Sequence, residues 1–260
     1  MAFCLVVKDD TDVGDWVDYH HLRLGVSRFY VFDHGSNPRL SHVLARHIHS
    51  GLVVYEYAPY HLDGLLRLFM ARPNPQTDLF DRCLRLHAGQ HRWLAFLDVD
   101  EFIVVRGANA SSPTALADLL DEFRLHGGLA LNWMVFGSSG LEHRPPSLAH
   151  YNACFPSVHV KTIVNTQQVL GSSQNPHWFL YKPGSFAVGE KGDRVDAWSR
   201  SPPSFERIFI NHYSTRSRQD FADKRRRGRG SKILSRSHTS WFYFDDINRK
   251  SVDTCPGLDI

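Results

Sequence analysis

The residues of this chain best suited to chemistry are Asp98 and Asp100, which follow the apolar run Trp93-Leu94-Ala95-Phe96-Leu97. That run reads as a buried strand, and Phe102 to Val105 reads as another. Alternate residues of an extended backbone share a face, so Asp98-Val99-Asp100 sets two carboxylates side by side and turns Glu101 away. Acids at the end of a buried strand are costly unless a cation or hydrogen-bond donors satisfy them. A hard divalent cation that itself carries phosphate oxygens is the natural occupant. The same spacing suits a simple turn between strands, and Asp10-Thr11-Asp12 repeats it. Position in the fold has to decide.

The elements around the motif alternate. Phe3 to Val7 is a strand-length apolar run, and Thr11 can cap a helix with the stripe Val13, Trp16, Val17 and Leu24, ended by Gly25. Phe29 to Phe32 is a second strand, closed by the turn Asp33-His34-Gly35-Ser36-Asn37-Pro38. A helix carrying Leu40, Val43, Leu44 and Ile48 follows, then a strand from Leu52 to Tyr57 and a helix around Thr77 to Gln90. Ser112-Pro113 opens a helix bearing Leu116, Leu119, Leu120 and Phe123, and Leu129 to Phe136 is a further strand. This alternation predicts an α/β fold with a parallel or mostly parallel sheet flanked by helices. Ligands of such sheets bind at the carboxyl ends of the strands, where Lys8-Asp9-Asp10, Asp33 and Asp98-Val99-Asp100 all fall. After Gly137 the pattern is loop-rich, punctuated by Pro145-Pro146, Gly171-Ser172-Ser173 and Pro202-Pro203. Ile208 to Ile210 leads into Asn211-His212-Tyr213. A helix from Arg218 to Arg227 follows, with Ser217 and Asp220 as its capping box.

Composition bounds the class. With 260 residues, 42% hydrophobic, 12% aromatic and 22% charged, the chain has the make-up of a globular protein. No signal peptide and no apolar run of membrane-spanning length is visible, so any membrane anchor would lie outside this chain. Cys4, Cys83, Cys154 and Cys255 lack the pairing of a zinc ribbon, which leaves disulfides and buried free thiols both open. Asn109-Ala110-Ser111 is a glycosylation sequon. The net charge of +3 is uneven, because most of the basic excess lies in 216–236.

Seven ordered blocks carry a resemblance to a known family. They are Val17-Asp18-Tyr19-His20 with Leu24-Gly25-Val26, Phe29 to Ser36, Trp93 to Phe102, Asn132 to Gly140, Lys161-Thr162-Ile163-Val164 and Asn211-His212-Tyr213. Together they resemble glycosyltransferase family 92 and the related family 2-like transferases of the GT-A fold, from about Val7 to Gly230. The resemblance implies one Rossmann-like GT-A domain over 1–260. Its nucleotide-sugar-binding half would be 1–137, and 138–260 would hold the loop-rich acceptor half and the C-terminal basic helix. It implies transfer of a sugar from a nucleotide-sugar, usually a UDP-sugar, to a hydroxyl of a glycan or glycoconjugate acceptor. Mn²⁺ or Mg²⁺ would assist, with inversion at the anomeric carbon. Carried onto this chain, Asp98, Asp100 and His212 would hold the metal, and Asp98, Lys8, Asp9 and Asp33 would line the nucleotide-sugar site. Two features depart from the family pattern: Lys8-Asp9-Asp10 stands where Lys-Asn-Glu is common, and His177-Trp178 where paired histidines are. The setting would be the Golgi lumen or membrane if an anchor lies outside this chain, and the cytoplasm otherwise.

Other residues follow from the chemistry. Lys224 and Arg227, one turn apart, would neutralise phosphate charge. An inverting transfer needs a general base, for which Glu142, Glu190 and Asp63 are candidates with none singled out. The basic segment 216–236 also supports a rival reading as a nucleic-acid-binding module, and an inactive glycosyltransferase-like protein is a third. Crowding of Asp9, Asp10, Asp33, Asp98, Asp100 and Glu101 near the basic helix favours the metal–diphosphate site, and no nucleic-acid partner is expected.

Overall fold

The computed structural model describes residues 1–59, 74–107, 109–173, 175–227 and 239–259. Its frame is one mixed parallel and antiparallel sheet, with a second, two-stranded sheet beside it. The first strands are β1 (Ala2–Val7), β2 (Arg28–Asp33), β3 (Val53–Tyr57) and β4 (Trp93–Phe96), all paired parallel. Against β4 runs β7 (Ala153–Asn165), antiparallel, and β7 pairs antiparallel with β6 (Gly128–Phe136). Beyond β6 lie β10 (Ala187–Val188) and β12 (Ile208–His212), both parallel to it. Antiparallel pairs add β5 (Glu101–Val105) to β12, β11 (Arg194–Val195) to β10, and β13 (Asp253–Thr254) to β7. A separate hairpin-like pair joins β8 (Val169–Ser172) to β9 (Phe179–Tyr181).

This topology puts the chemistry on one edge. β7 is antiparallel to both β4 and β6, so β4 and β6 run the same way, and β12 with them. The carboxyl ends of β1, β2, β4 and β12 therefore share an edge, and they deliver Lys8, Asp33, Asp98 and His212 to it.

Alternation along β1 explains why both faces of the sheet are covered. Phe3, Leu5 and Val7 enter one core with Val13, Trp16 and Val17 of helix α1 (Val13–Leu24). Ala2 and Cys4 enter a second core with Phe80, Cys83 and Leu84 of helix α3 (Pro75–His87), which follows the short α2 (Ala45–His49). Buried strands of this kind need apolar residues at every position. Two disulfides, Cys4–Cys83 and Cys154–Cys255, tie β1 to α3 and β7 to the C-terminal segment. Among the described residues no free cysteine remains, which closes the question left open by the sequence.

Several boundaries differ from the sequence reading. Asp12 rather than Thr11 precedes α1, and its side chain makes no capping bond. Helix α4 (Ala115–Glu122) starts after Thr114, two residues past Ser112, whose hydroxyl instead meets that of Thr114 at 2.9 Å. Leu40 to Leu44 form turns, leaving α2 only five residues long. α3 begins earlier than expected because Asn74 caps it and Pro75 takes the first turn. The capping box of helix α5 (Arg218–Arg227) is present: the Asp220 N–H donates to Ser217 Oγ at 3.1 Å. The loop-rich half holds the thirteen-residue β7 and a last helix, α6 (Trp241–Lys250), capped by Ser240.

A bulge between β6 and β7 shapes the site wall. The pairing shifts at Asn132/Trp133, leaving Val158 and His159 without ladder partners in β6. Asn132 Nδ2 lies 3.2–3.3 Å from the carbonyls of Ser157, Val158 and Arg200, and so ties the bulge to the 200–204 segment.

Candidate active site

A cleft of about 1060 Å³ opens at the shared strand edge. Lys8, Asp10 and His34 line one part, and Asp98, Val99 and Asp100 line its floor. Trp133, His159, His177 and His212 form a wall, and Phe242, Tyr243, Asp246 and Lys250 of α6 close another side with Lys224 of α5.

The turn after β4 is built by hydrogen bonds. The Glu101 N–H donates to the Asp98 carbonyl at 3.0 Å, and the Asp98 N–H donates to Glu101 Oε2 at 2.9 Å. Residues 98–101 are thus a hydrogen-bonded turn rather than the extended run the sequence suggests, and Glu101 folds back on it beside Asp98. Glu101 is fully buried. Burial pushes its carboxyl up to about 8 although Lys161 stands 3.4 Å away. Trp16 Nε1 donates to the Glu101 carbonyl at 2.7 Å and the Tyr213 N–H to the Asp100 carbonyl at 2.9 Å, locking the turn from both sides.

Each aspartate already has a cationic neighbour. Asp98 Oδ2 accepts from Lys161 Nζ at 2.9 Å, and Oδ1 accepts from Gln76 Nε2 at 2.8 Å. Asp100 Oδ2 accepts from Lys224 Nζ at 2.7 Å. Burial acts to raise both carboxyls, but Lys161 beside Asp98 and Lys224 beside Asp100 hold them below the usual carboxylate range. Lys161 is only 1% exposed and pairs with both Asp98 and Glu101. Sequence reasoning quoted this lysine in a family block and gave it no role. The contact spans 63 residues of chain, so no local signal pointed to it.

His212 lies beside Asp100 in the cleft. Its Nε2 is 3.7 Å from Asp100 Oδ1, and its buried Nδ1 has no hydrogen-bond partner. Burial lowers its pKa to about 4 against the opposing pull of Asp100, so the imidazole is neutral at pH 7. A neutral imidazole is the form that ligates metals. Asp100 and His212, with one carboxylate oxygen and one neutral imidazole nitrogen 3.7 Å apart, are the residues that would hold a hard divalent cation here. Among the described residues no three His, Cys, Asp or Glu side chains converge as a protein-only metal site. A cation here needs oxygens from a bound diphosphate or water, as hard cations in phosphate-handling sites do.

The other expected residues divide. Lys8 and Lys224 line the cleft, whereas Asp9 sits beside it at φ 50°, its Oδ1 accepting from the Asn37 N–H at 2.9 Å. Asp33 is buried and accepts from the N–H groups of Ser36 and Leu40 and from the Tyr55 hydroxyl, so it shapes the 33–40 turn. Glu190 lies outside the cleft lining, and its two oxygens take N–H groups of Glu206, Arg207 and Ile208 as well as the Ser204 hydroxyl. That occupation leaves it no lone pair for a substrate proton. Glu142 lines a smaller, separate pocket with Ser138, Arg218 and Asn248. Asp63 lies outside the described residues, as does the side chain of Arg227. Besides Asp98 and Asp100, the acids lining the cleft among the described residues are Asp10 and Asp246.

The basic side chains of this segment among the described residues have partners within the fold. Arg216 pairs with Asp12, Lys224 with Asp100 and Arg226 with Asp223, while Arg218 and Arg225 lie over the Trp241 ring at 4.6 and 4.9 Å. Residues 228–236 of that segment lie outside the described residues. No helix among the described residues is long and apolar enough to cross a membrane.

With this geometry in place, the chain joins a class. The family description Glycosyltransferase family 92 matches residues 8–223, most of the chain. The protein therefore belongs to glycosyltransferase family 92. Its helix-flanked sheet, with the parallel β3-β2-β1-β4 block, agrees with the GT-A arrangement implied by the sequence blocks. No curated protein matches it. Among solved structures it is similar to S. aureus TarS 1-349 in complex with UDP, at 13% identity and TM-score 0.33 over 64% of this chain and 47% of that one. It is also similar to an active-site mutant of LgtC, at 14% identity and TM-score 0.37 over 100% and 97%. A longer S. aureus TarS structure overlaps at 11% identity and TM-score 0.36 over 64% of this chain and 28% of that one. The chain thus spans less than half the length of two of these neighbours. At such distances the site rests on its own geometry.

Proposed function

We propose that this protein moves a sugar from a nucleoside diphosphate sugar, a UDP-sugar foremost, to a hydroxyl of a glycan acceptor, with inversion and with a divalent cation at Asp100 and His212. One observation carries the reading: a paired-acid turn, a neutral histidine and a partly exposed lysine meet at the carboxyl edge of a parallel block of strands, beside a cleft large enough for a nucleotide and a sugar. Mn²⁺ or Mg²⁺, when bound, supplies positive charge to the departing diphosphate.

The chain's own residues do the rest. Lys161 from within the fold and Gln76 from the cleft wall fix Asp98 in one orientation. Lys8 and Lys224 bring further positive charge to the anionic donor. The α6 wall offers Phe242, 77% exposed, and Tyr243 as amphipathic surface for a sugar ring. Asp246 on the same wall would receive the acceptor proton. Lys250 at 2.6 Å keeps it ionised.

A thermal-shift screen of UDP-, GDP- and dTDP-sugars with and without MnCl₂ tests the proposal. The expected result is a rise in Tm with one nucleotide-sugar class that depends on Mn²⁺. No rise with any of them in excess Mn²⁺ would sink it.

A further inference from the structure

The two acids of the motif hold counter-ions of opposite character. Lys161, on Asp98, is 1% exposed and anchored a second time by Glu101, so it has nowhere to go. Lys224, on Asp100, reaches in from α5 with 33% of its side chain exposed. Its ammonium bonds Asp100 Oδ2 at 2.7 Å and the Ser214 carbonyl at 3.0 Å, both on the cleft side. Asp100 is the acid whose other oxygen faces His212.

Building on the metal–nucleotide reading above, we propose that Lys224 is an exchangeable counter-ion: it holds Asp100 until a divalent cation and a diphosphate arrive together, then transfers to the phosphate. An ammonium and a divalent cation on one carboxylate repel each other strongly in a partly desolvated site. A cation entering alone must therefore displace Lys224, whose ammonium then keeps the Ser214 carbonyl but loses its carboxylate. A diphosphate changes that balance, because it gives the freed ammonium a partner as strong as the one it leaves. The flexible four-carbon stem of lysine allows the move where an arginine fork would resist it. Cation and nucleotide thus bind with positive coupling, and Lys224 is the positioning residue that sets the size of the coupling. A free cation in solution would load the site weakly. That keeps the acids protected by their own lysines until donor is present.

The test measures Mn²⁺ binding directly, by electron paramagnetic resonance of free Mn²⁺, with the chain alone and then with saturating UDP. Four proteins are compared: the parent, Lys224→Met, Lys250→Met as a cleft lysine paired with Asp246 instead, and Asp100→Asn. Losing one charge-assisted contact should let Lys224→Met bind Mn²⁺ alone about tenfold tighter, and UDP should then enhance its affinity less than in the parent. Lys250→Met should shift either quantity by about threefold or less, as expected for a screened, more distant charge. Equal or weaker Mn²⁺ binding by Lys224→Met, or an equal effect of Lys250→Met, overturns the exchange while leaving the metal site standing. If the parent binds no Mn²⁺ even with UDP, or Asp100→Asn binds it as well as the parent, the metal reading falls and the exchange with it.

Discussion

Lys161 Nζ sits 2.9 Å from Asp98 Oδ2 although the two residues lie 63 positions apart, one in the middle of β7 and the other just past β4. The pair bolts the acidic turn to the neighbouring antiparallel strand. Its lysine is 1% exposed, and the remaining Asp98 oxygen goes to Gln76.

Lys161→Met removes the ammonium that partners Asp98, whose side chain is 39% exposed, and takes a contact from the buried Glu101 carboxyl. It should lower unfolding stability by about 1–3 kcal/mol, measured by urea titration at pH 7. A single-variant loss below about 1 kcal/mol would contradict the structural role of this lysine.

Both disulfides should be present in protein purified without reductant. Thiol titration in denaturant should then find no free thiol, and Cys154→Ser with Cys255→Ser should cost about 2–5 kcal/mol. Four titratable thiols in protein from an oxidising compartment would refute the pairing.

Acid should destabilise the fold through His20. It is fully buried; its Nδ1–H donates to the Trp16 carbonyl at 2.9 Å and its Nε2 accepts from the Ile103 N–H at 3.3 Å. Burial lowers its pKa to about 3, so the folded ring stays neutral while an unfolded one protonates near 6.5. The unfolded chain then binds the extra proton below about pH 6.5, so stability is full above that pH and declines as pH falls toward 3, by about 1.4 kcal/mol per unit from this group. Urea midpoints at pH 7, 6 and 5 should fall in that order, and His20→Phe should flatten the trend. An unchanged slope in that variant would remove His20 as the cause.

Asp246 carries the proton-transfer prediction. Asp246→Asn should cut kcat by about 10²–10⁴-fold with the donor KM little changed, read by nucleotide release in the presence of acceptor. A loss of less than about threefold would send the search for the base to Asp10 or to residues outside those described.

The sequence made the first half of the fold legible because its apolar runs and stop signals are local. β1, β2, β3, β4 and α1 each sit within a few residues of where periodicity puts them. The acidic edge followed from that alternation alone. β7 was hidden because Pro156, Ser157, His159 and Lys161 interrupt its pattern, and its partners β4 and β6 lie far away in sequence. α6 was hidden because Trp241-Phe242-Tyr243-Phe244 mimics a strand, while the Ser240 cap that starts the helix is a weak local signal. Glu190 illustrates the reverse error. A loop carboxylate looks available in sequence, but here three backbone N–H groups and a hydroxyl converge on it.

The most direct test of the central claim is nucleotide release from UDP-sugars in the presence of a glycan acceptor, comparing the parent with Asp100→Asn, each with Mn²⁺ and with excess chelator. The account predicts turnover only for the parent with Mn²⁺, and an Asp100→Asn protein that is folded by circular dichroism yet inactive. Undiminished turnover by Asp100→Asn, or by the parent in excess chelator, would contradict it.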